Sequence, residues 1–221
     1  MGTNDMKQAV TQALEVSDFE KVLTLALAER RILSVLIRLA YHKDTLLGWR
    51  AITAIGKIAT VYLRSNADYL RETARKLLWS LTDESGGIGW SAPEILGEIV
   101  SADPVKFSDF VPLIAEVFSI EEKVFRPGVL YALKRIAETS PEAVACYHEL
   151  VWEGLADENP LARAYALLLL PRIKWIAKTS DQDEIGQRVN RLLNDYSEVW
   201  IYENDNFNGM LIKDIAKSIV V

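Results

Sequence analysis

Three groupings of residues in this chain could do chemistry. Gly86-Gly87-Ile88-Gly89 stands just before a helical stretch. Bare amides at a helix start can hold an anion. The segment has neither a preceding strand nor a following Lys-Ser/Thr, and a phosphate loop needs both. Ser91 and Glu94 with Pro93 between them fit a helix cap better. The second grouping is Cys146 and His148, with His42 distant in sequence. A zinc site takes about four donors, and these three are all the cysteine and histidine present. Cys146 on an apolar helix reads as a small buried hydrophobe. The third is the carboxylate pairs Asp83-Glu84, Glu121-Glu122 and Asp157-Glu158. Each precedes a helix, where its charge suits the positive helix end, and a turn seldom gives the burial a general acid needs. No nucleophile–base arrangement follows from the sequence. No catalytic residue, cofactor or metal is expected.

The elements that would position these groups are helical. Val10, Ala13 and Leu14 share a face, and Ser17 to Glu20 has the capping-box pattern. Val22 to Leu27 and Ile32 to Tyr41 follow as apolar helical runs, one bent helix or two. Leu46 to Tyr62 and Asn66 to Leu81 are amphipathic, and Pro112 to Phe118, Pro141 to Leu155 and Glu184 to Leu193 have the same character. Ser140-Pro141 is the usual pairing of a cap and a first-turn proline. Val199 to Tyr202 is read as a loop.

One short motif recurs. Ala54-Ile55-Gly56-Lys57-Ile58, Ile95-Leu96-Gly97-Glu98-Ile99, Ala132-Leu133-Lys134-Arg135-Ile136 and Leu169-Leu170-Pro171-Arg172-Ile173 align, with a weaker copy at Met210 to Ala216. The anchoring isoleucines 58, 99, 136, 173 and 215 lie 37 to 42 residues apart. Units of about 40 residues with two helices each are the sign of a HEAT/armadillo-type solenoid. The fold expected is all-α, a right-handed solenoid of about five helical hairpins. It forms a single helical-repeat domain over 1–221, with capping helices over 1–43 and repeats over 44–218.

On these residues the chain resembles the HEAT-repeat superfamily in its PBS-lyase-like branch. Asp44, Arg50, Ala51, Ala54, Ile55, Gly56 and Ile58 fit that pattern best, and Arg126 and Arg163 stand two places early. Gly86 to Glu94, GGIGWSAPE, is similar to a segment of an uncharacterised prokaryotic subgroup, which implies no activity. The resemblance allows two rivals to plain protein binding. One is a nucleic-acid-binding role of the helical-repeat DNA glycosylase type. The other is a bilin-lyase-like or cofactor-attachment chaperone role.

Charge and aromatics suggest where a partner would sit. The 221 residues carry 31 Asp and Glu against 25 Lys and Arg, a net charge of −6, which argues against nucleic acid and anionic membrane. No apolar run approaches the roughly 20 residues of a membrane span. The opening MGTNDMKQAV has no basic segment followed by an apolar core, so no secretory leader is expected. With one cysteine, this points to a reducing, cytoplasmic setting. Among the second helices of the pairs, Arg50, Lys57, Arg126, Lys134, Arg135 and Arg163 outnumber the acids, so the inner face is expected to be cationic and to receive a protein or peptide, possibly acidic. The alternative is that Arg50, Arg126 and Arg163 pair with turn carboxylates of adjacent repeats. Trp49 and Trp90 occupy equivalent repeat positions. They either pack between repeats or form an aromatic row. The sequence therefore predicts a non-enzymatic interaction scaffold that binds through Trp49, Arg50, Lys57, Trp90, Glu94, Arg126, Tyr131, Lys134 and Arg163.

Overall fold

The computed structural model describes residues 3–82, 90–120, 123–173 and 179–220. The Gly86–Gly89 turn, the pairs Asp83-Glu84 and Glu121-Glu122, and Lys174 and Trp175 lie outside the described residues.

Side chains at the turns set where helices begin. Helix α1 (Thr3–Glu15) is followed by α2 (Phe19–Ala28), whose start is capped by Asp18, its carboxylate accepting from the Lys21 amide at 2.9 Å. The expected Ser17–Glu20 box therefore does not form. Ser17 is in the left-handed region at φ 58°, and its hydroxyl points elsewhere. Helix α3 (Ile32–Ala40) is separate from α2, with Glu29 closing α2 through a bond to Leu25 O. Thr45 caps α4 (Leu46–Ser65) by accepting from the Gly48 amide. Asn159 does the same for α10 (Pro160–Ile173), where proline takes the first helical position and needs no amide partner. Ser140-Pro141 opens only a 3₁₀ turn, Pro141–Ala143, and α9 (His148–Leu155) begins seven residues later than the pattern suggested.

The remaining helices are α5 (Ala67–Thr82), α6 (Ala92–Ser101), α7 (Phe110–Glu116), α8 (Arg126–Thr139), α11 (Thr179–Leu192) and α12 (Ile212–Val220). They pack in sequential pairs: α3 with α4, α5 with α6, α7 with α8, α9 with α10 and α11 with α12. The second members, α4, α6, α8, α10 and α12, form a continuous inner row in which each touches the next. The fold is thus an all-α solenoid of HEAT-like helix pairs, with α1 and α2 packed on its first pair. One apolar cluster runs its length, from Met6 to Ala216. By length and composition α4 alone among the described helices could cross a membrane, but more than half of it is buried inside the protein, as a core helix is.

The motif glycines let neighbouring inner helices approach. A Cβ on Gly97 would lie 2.5 Å from the Ala132 Cα of α8, and one on Gly56 would meet the Glu98 carboxylate. That is why the second and first copies carry glycine at this place.

The last repeat departs from the all-helical pattern. The weak motif copy at Met210 to Ala216 predicts an inner helix there, and Val199 to Tyr202 reads as a loop. Instead β1 (Glu198–Glu203) and β2 (Asn206–Leu211) form an antiparallel hairpin, with Glu203 opposite Asn206, and only then does α12 begin. Val199 and Ile201 point into the core while Trp200 points out. That period-two alternation makes the segment a strand once a second strand is present to pair with it. Asn204 and Asp205 both have positive φ, 52° and 63°, as a two-residue hairpin turn requires.

Candidate functional site: an inner row clasped by the hairpin

The tip of the hairpin lies against the first repeat. Asp205 accepts from Arg50 Nε at 2.9 Å, from Tyr202 Oη at 3.0 Å, and from the Ser17 hydroxyl. Arg50 also donates to the carbonyls of Leu14 and Glu15, at 3.0 and 2.8 Å. One guanidinium thus fastens the end of α1 to the C-terminal hairpin. The fork of fixed donors is what suits arginine to this junction.

Arg126 and Arg163 repeat the device. Arg126 pairs with Asp157 at 3.0 Å and Arg163 with Asp195 at 2.8 Å, each carboxylate lying in the turn of the following repeat. Arg163 further binds the carbonyls of Asp157 and Glu158. These three arginines hold turn to turn. The cationic inner face expected from composition is neutralised at these positions, because burying a guanidinium requires an acid beside it.

Aromatic rings fill the curve of the row. Trp49 of α4 is 4 % exposed and meets Tyr131 of α8 edge-on at 5.1 Å, while Tyr202 of β1 stacks on it at 5.5 Å. Tyr131 meets Tyr165 of α10 at 5.5 Å. Trp49 and Trp90 therefore part company. Trp90 is 43 % exposed, and its carbonyl accepts from Lys43 Nζ.

Helix α6 buries two carboxylates between α4 and α8. Glu98 accepts from Tyr131 Oη at 2.6 Å and from Arg135 Nε at 2.7 Å. Glu94 accepts from Lys43 Nζ at 2.8 Å, and its other oxygen has no hydrogen-bond partner among the described residues. Neither Glu94 nor Ser91 acts as the expected cap. Ser91 donates to Ala40 O at 2.5 Å, which ties the start of α6 to the end of α3. Burial, with Glu98 beside it, pushes the Tyr131 hydroxyl well up, so it stays a donor. Burial likewise raises Tyr165, with Glu94 and Glu203 adding to it, and raises Tyr202 to about 12.

A pocket of about 300 Å³ remains between the hairpin tip and the inner row. Phe19, Tyr131 and Tyr202 supply aromatic walls; Glu98, Glu138, Glu203 and Asp205 supply carboxylates; Lys134 and Arg135 supply the cations. Lys134 binds Glu138 at 2.8 Å, and Lys57 lies 5.3 Å from the Phe19 ring centre. Of the nine residues singled out from the sequence, Tyr131 and Lys134 line this pocket. Trp49, Arg50 and Lys57 touch residues that line it. Trp90 and Glu94 meet at Lys43, and Arg126 and Arg163 are held in the inter-repeat turns. Among the described residues, no three or more His, Cys, Asp or Glu side chains are grouped to hold a metal ion. His148 sits against Trp152 and the Ala145 carbonyl, and Cys146 is exposed.

No family model matches the chain. An uncharacterised protein of Archaeoglobus fulgidus is 30 % identical over 142 residues, covering 62 % of this chain and 73 % of that protein. The chain belongs to the family of this archaeal protein. Its fold is shared by an engineered protein of known crystal structure, with a TM-score of 0.60 at 17 % identity over 99 % of this chain and 92 % of that one. A looser superposition, TM-score 0.39 at 13 % identity, spans 100 % of this chain and 99 % of an archaeal HEAT-like repeats protein from Thermococcus onnurineus NA1. In this chain, the residues that sequence reasoning missed are Ser17, Tyr202, Glu203 and Asp205. The alternation across 198–202 and the Asn204-Asp205 turn are the signals that could have found them.

Acid should loosen the clasp. Burial alone would raise Asp205, but bonds from Ser17, Tyr202 and Arg50 hold it below the usual carboxylate range. Burial is likewise outweighed by Ser197 and Arg163 at Asp195, and by Lys134, Arg135 and Arg172 at Glu138. A depressed folded value means stability that is present above the unfolded pKa, about 4, and lost as pH falls through the folded values. Asp205→Asn is expected to cost about 1–2 kcal/mol at neutral pH and to flatten the acid limb of the stability profile below about pH 4. Urea unfolding at a series of pH values measures both. An unaltered acid limb would show that Asp205 contributes nothing to it.

Proposed function

We propose that the chain is a non-enzymatic protein-interaction module, of the PBS-lyase-like HEAT kind. It takes up a short partner segment in the pocket between the hairpin tip and the inner row. The pocket itself carries this reading, since it joins three aromatic walls to a few fixed polar groups, the usual make-up of a recognition site. Its carboxylates outnumber its cations, and Glu203 is exposed, with no ion pair among the described residues. A segment bearing a basic side chain suits that balance better than an acidic one. The nucleic-acid reading has less support, because the arginines that would meet phosphates are engaged by Asp205, Asp157 and Asp195. A peptide-display screen against the chain tests the proposal. Enriched peptides with Lys or Arg at a common position are expected, and Glu203→Lys should weaken them about ten-fold or more. No enrichment, or equal binding by Glu203→Lys, would overturn it.

A further inference from the structure

A second cavity, of about 320 Å³, opens between α1 and α3, away from the hairpin. Asn4 and Lys7 are three apart on α1, Val35, Arg38 and Leu39 follow the i, i+3, i+4 spacing of one face of α3, and His42 lies two residues past the end of that helix. The two helices thus present facing stripes. Val35 and Leu39, 7 % and 9 % exposed, make an apolar floor, and the basic side chains stand around it.

The charge here differs from the rest of the molecule. Arg50, Arg126 and Arg163 each have a carboxylate partner. Lys7 and Arg38 have neither an ion pair nor a side-chain hydrogen bond among the described residues, and no carboxylate lines the cavity. In a chain of net charge −6, where acids outnumber bases, two unpaired cations and a histidine around one small hollow form a local reversal of sign. Like charges facing one another are unfavourable until an anion lies between them.

We propose that this cavity is a binding site for a small dianion of the phosphomonoester class that carries a compact apolar body. The Arg38 fork can grip two phosphate oxygens while Lys7 supplies a point charge. Asn4 and His42 add N–H donors, and the apolar body rests on Val35 and Leu39. The volume stands at the small end for ligand pockets, so the ligand is a small metabolite rather than a polymer.

Titration of the isotope-labelled full chain with phenyl phosphate, inorganic phosphate and benzoate, followed by amide NMR shifts, tests this. Saturable shifts clustered on α1 and α3 are expected. Phenyl phosphate should bind more tightly than inorganic phosphate, because it reaches the floor, and more tightly than benzoate, because of its second charge. The double variant Lys7→Gln/Arg38→Gln replaces two exposed side chains, so the fold should persist, and it should lose about ten-fold or more in phenyl phosphate affinity. Glu203→Lys should leave that affinity unchanged, which separates this site from the hairpin pocket. Shifts that are scattered and unsaturable, equal binding by the double variant, or loss of binding in Glu203→Lys would each overturn the proposal.

Discussion

Gly97→Val is expected to destabilise the protein by about 3 kcal/mol or more, the upper part of the range for overpacking. The glycine of α6 lies against the backbone of α8, where a Cβ would stand 2.5 Å from the Ala132 Cα and 2.8 Å from its Cβ. A flexible side chain could turn aside, but a helix backbone can yield only by moving away. Separating α6 from α8 would open a junction of the inner row around which Ile95, Leu96, Ile99, Leu130 and Leu133 are fully buried. In a stacked array such a break also uncouples the repeats on either side. Gly186 supplies the control. Nothing lies within 4 Å of a Cβ there, so Gly186→Ala should stabilise α11 by about 0.5–1 kcal/mol through helix propensity alone. Urea midpoints of the two variants measure the contrast. A loss under about 1 kcal/mol for Gly97→Val would mean that the helices are not in backbone contact.

Arg135→Met should be nearly as damaging, at about 2–3 kcal/mol. Removing one partner of a buried ion pair costs about 3–5 kcal/mol, and the partial exposure of Arg135, 33 % against 6 % for Glu98, reduces that figure. The variant leaves the Glu98 carboxylate with the Tyr131 hydroxyl as its remaining partner, and it also removes a cation from Glu138. The cost lies in the uncompensated charge rather than in the lost contact. Glu98→Met/Arg135→Met should therefore be less destabilised than Arg135→Met alone. If the two losses simply add, Glu98 was not bearing an unpaired charge.

The repeat was legible because its signal is local. Isoleucines 58, 99, 136, 173 and 215 each face the apolar cluster, and all five are almost completely buried. Helical spacing placed the start of α4 at its observed residue and its end three residues early, and placed both ends of α5 within one residue, since the apolar stripe that makes a helix also makes it bury one face. The caps were less legible. Ser17 and Ser91 both stand where a cap is expected, yet Ser17 binds Asp205, 188 residues away, and Ser91 binds Ala40. A hydroxyl takes the best acceptor within reach, and only the folded chain decides which acceptor that is.

The same limit applies to the site. The sequence determined a solenoid of helix pairs, an apolar spine and a set of arginines near the starts of the inner helices, because each follows from residue type at short spacing. Tertiary structure decided what those residues do. It folded the hairpin across the inner row, matched Arg50, Arg126 and Arg163 with Asp205, Asp157 and Asp195, buried Trp49 and left Trp90 exposed. It also placed Lys7 and Arg38 around a cavity with no acid beside them among the described residues. Charge along a chain counts ions, but their partners are set by which turns and helix faces the packing brings within 4 Å, and helical periodicity carries no information about that distance.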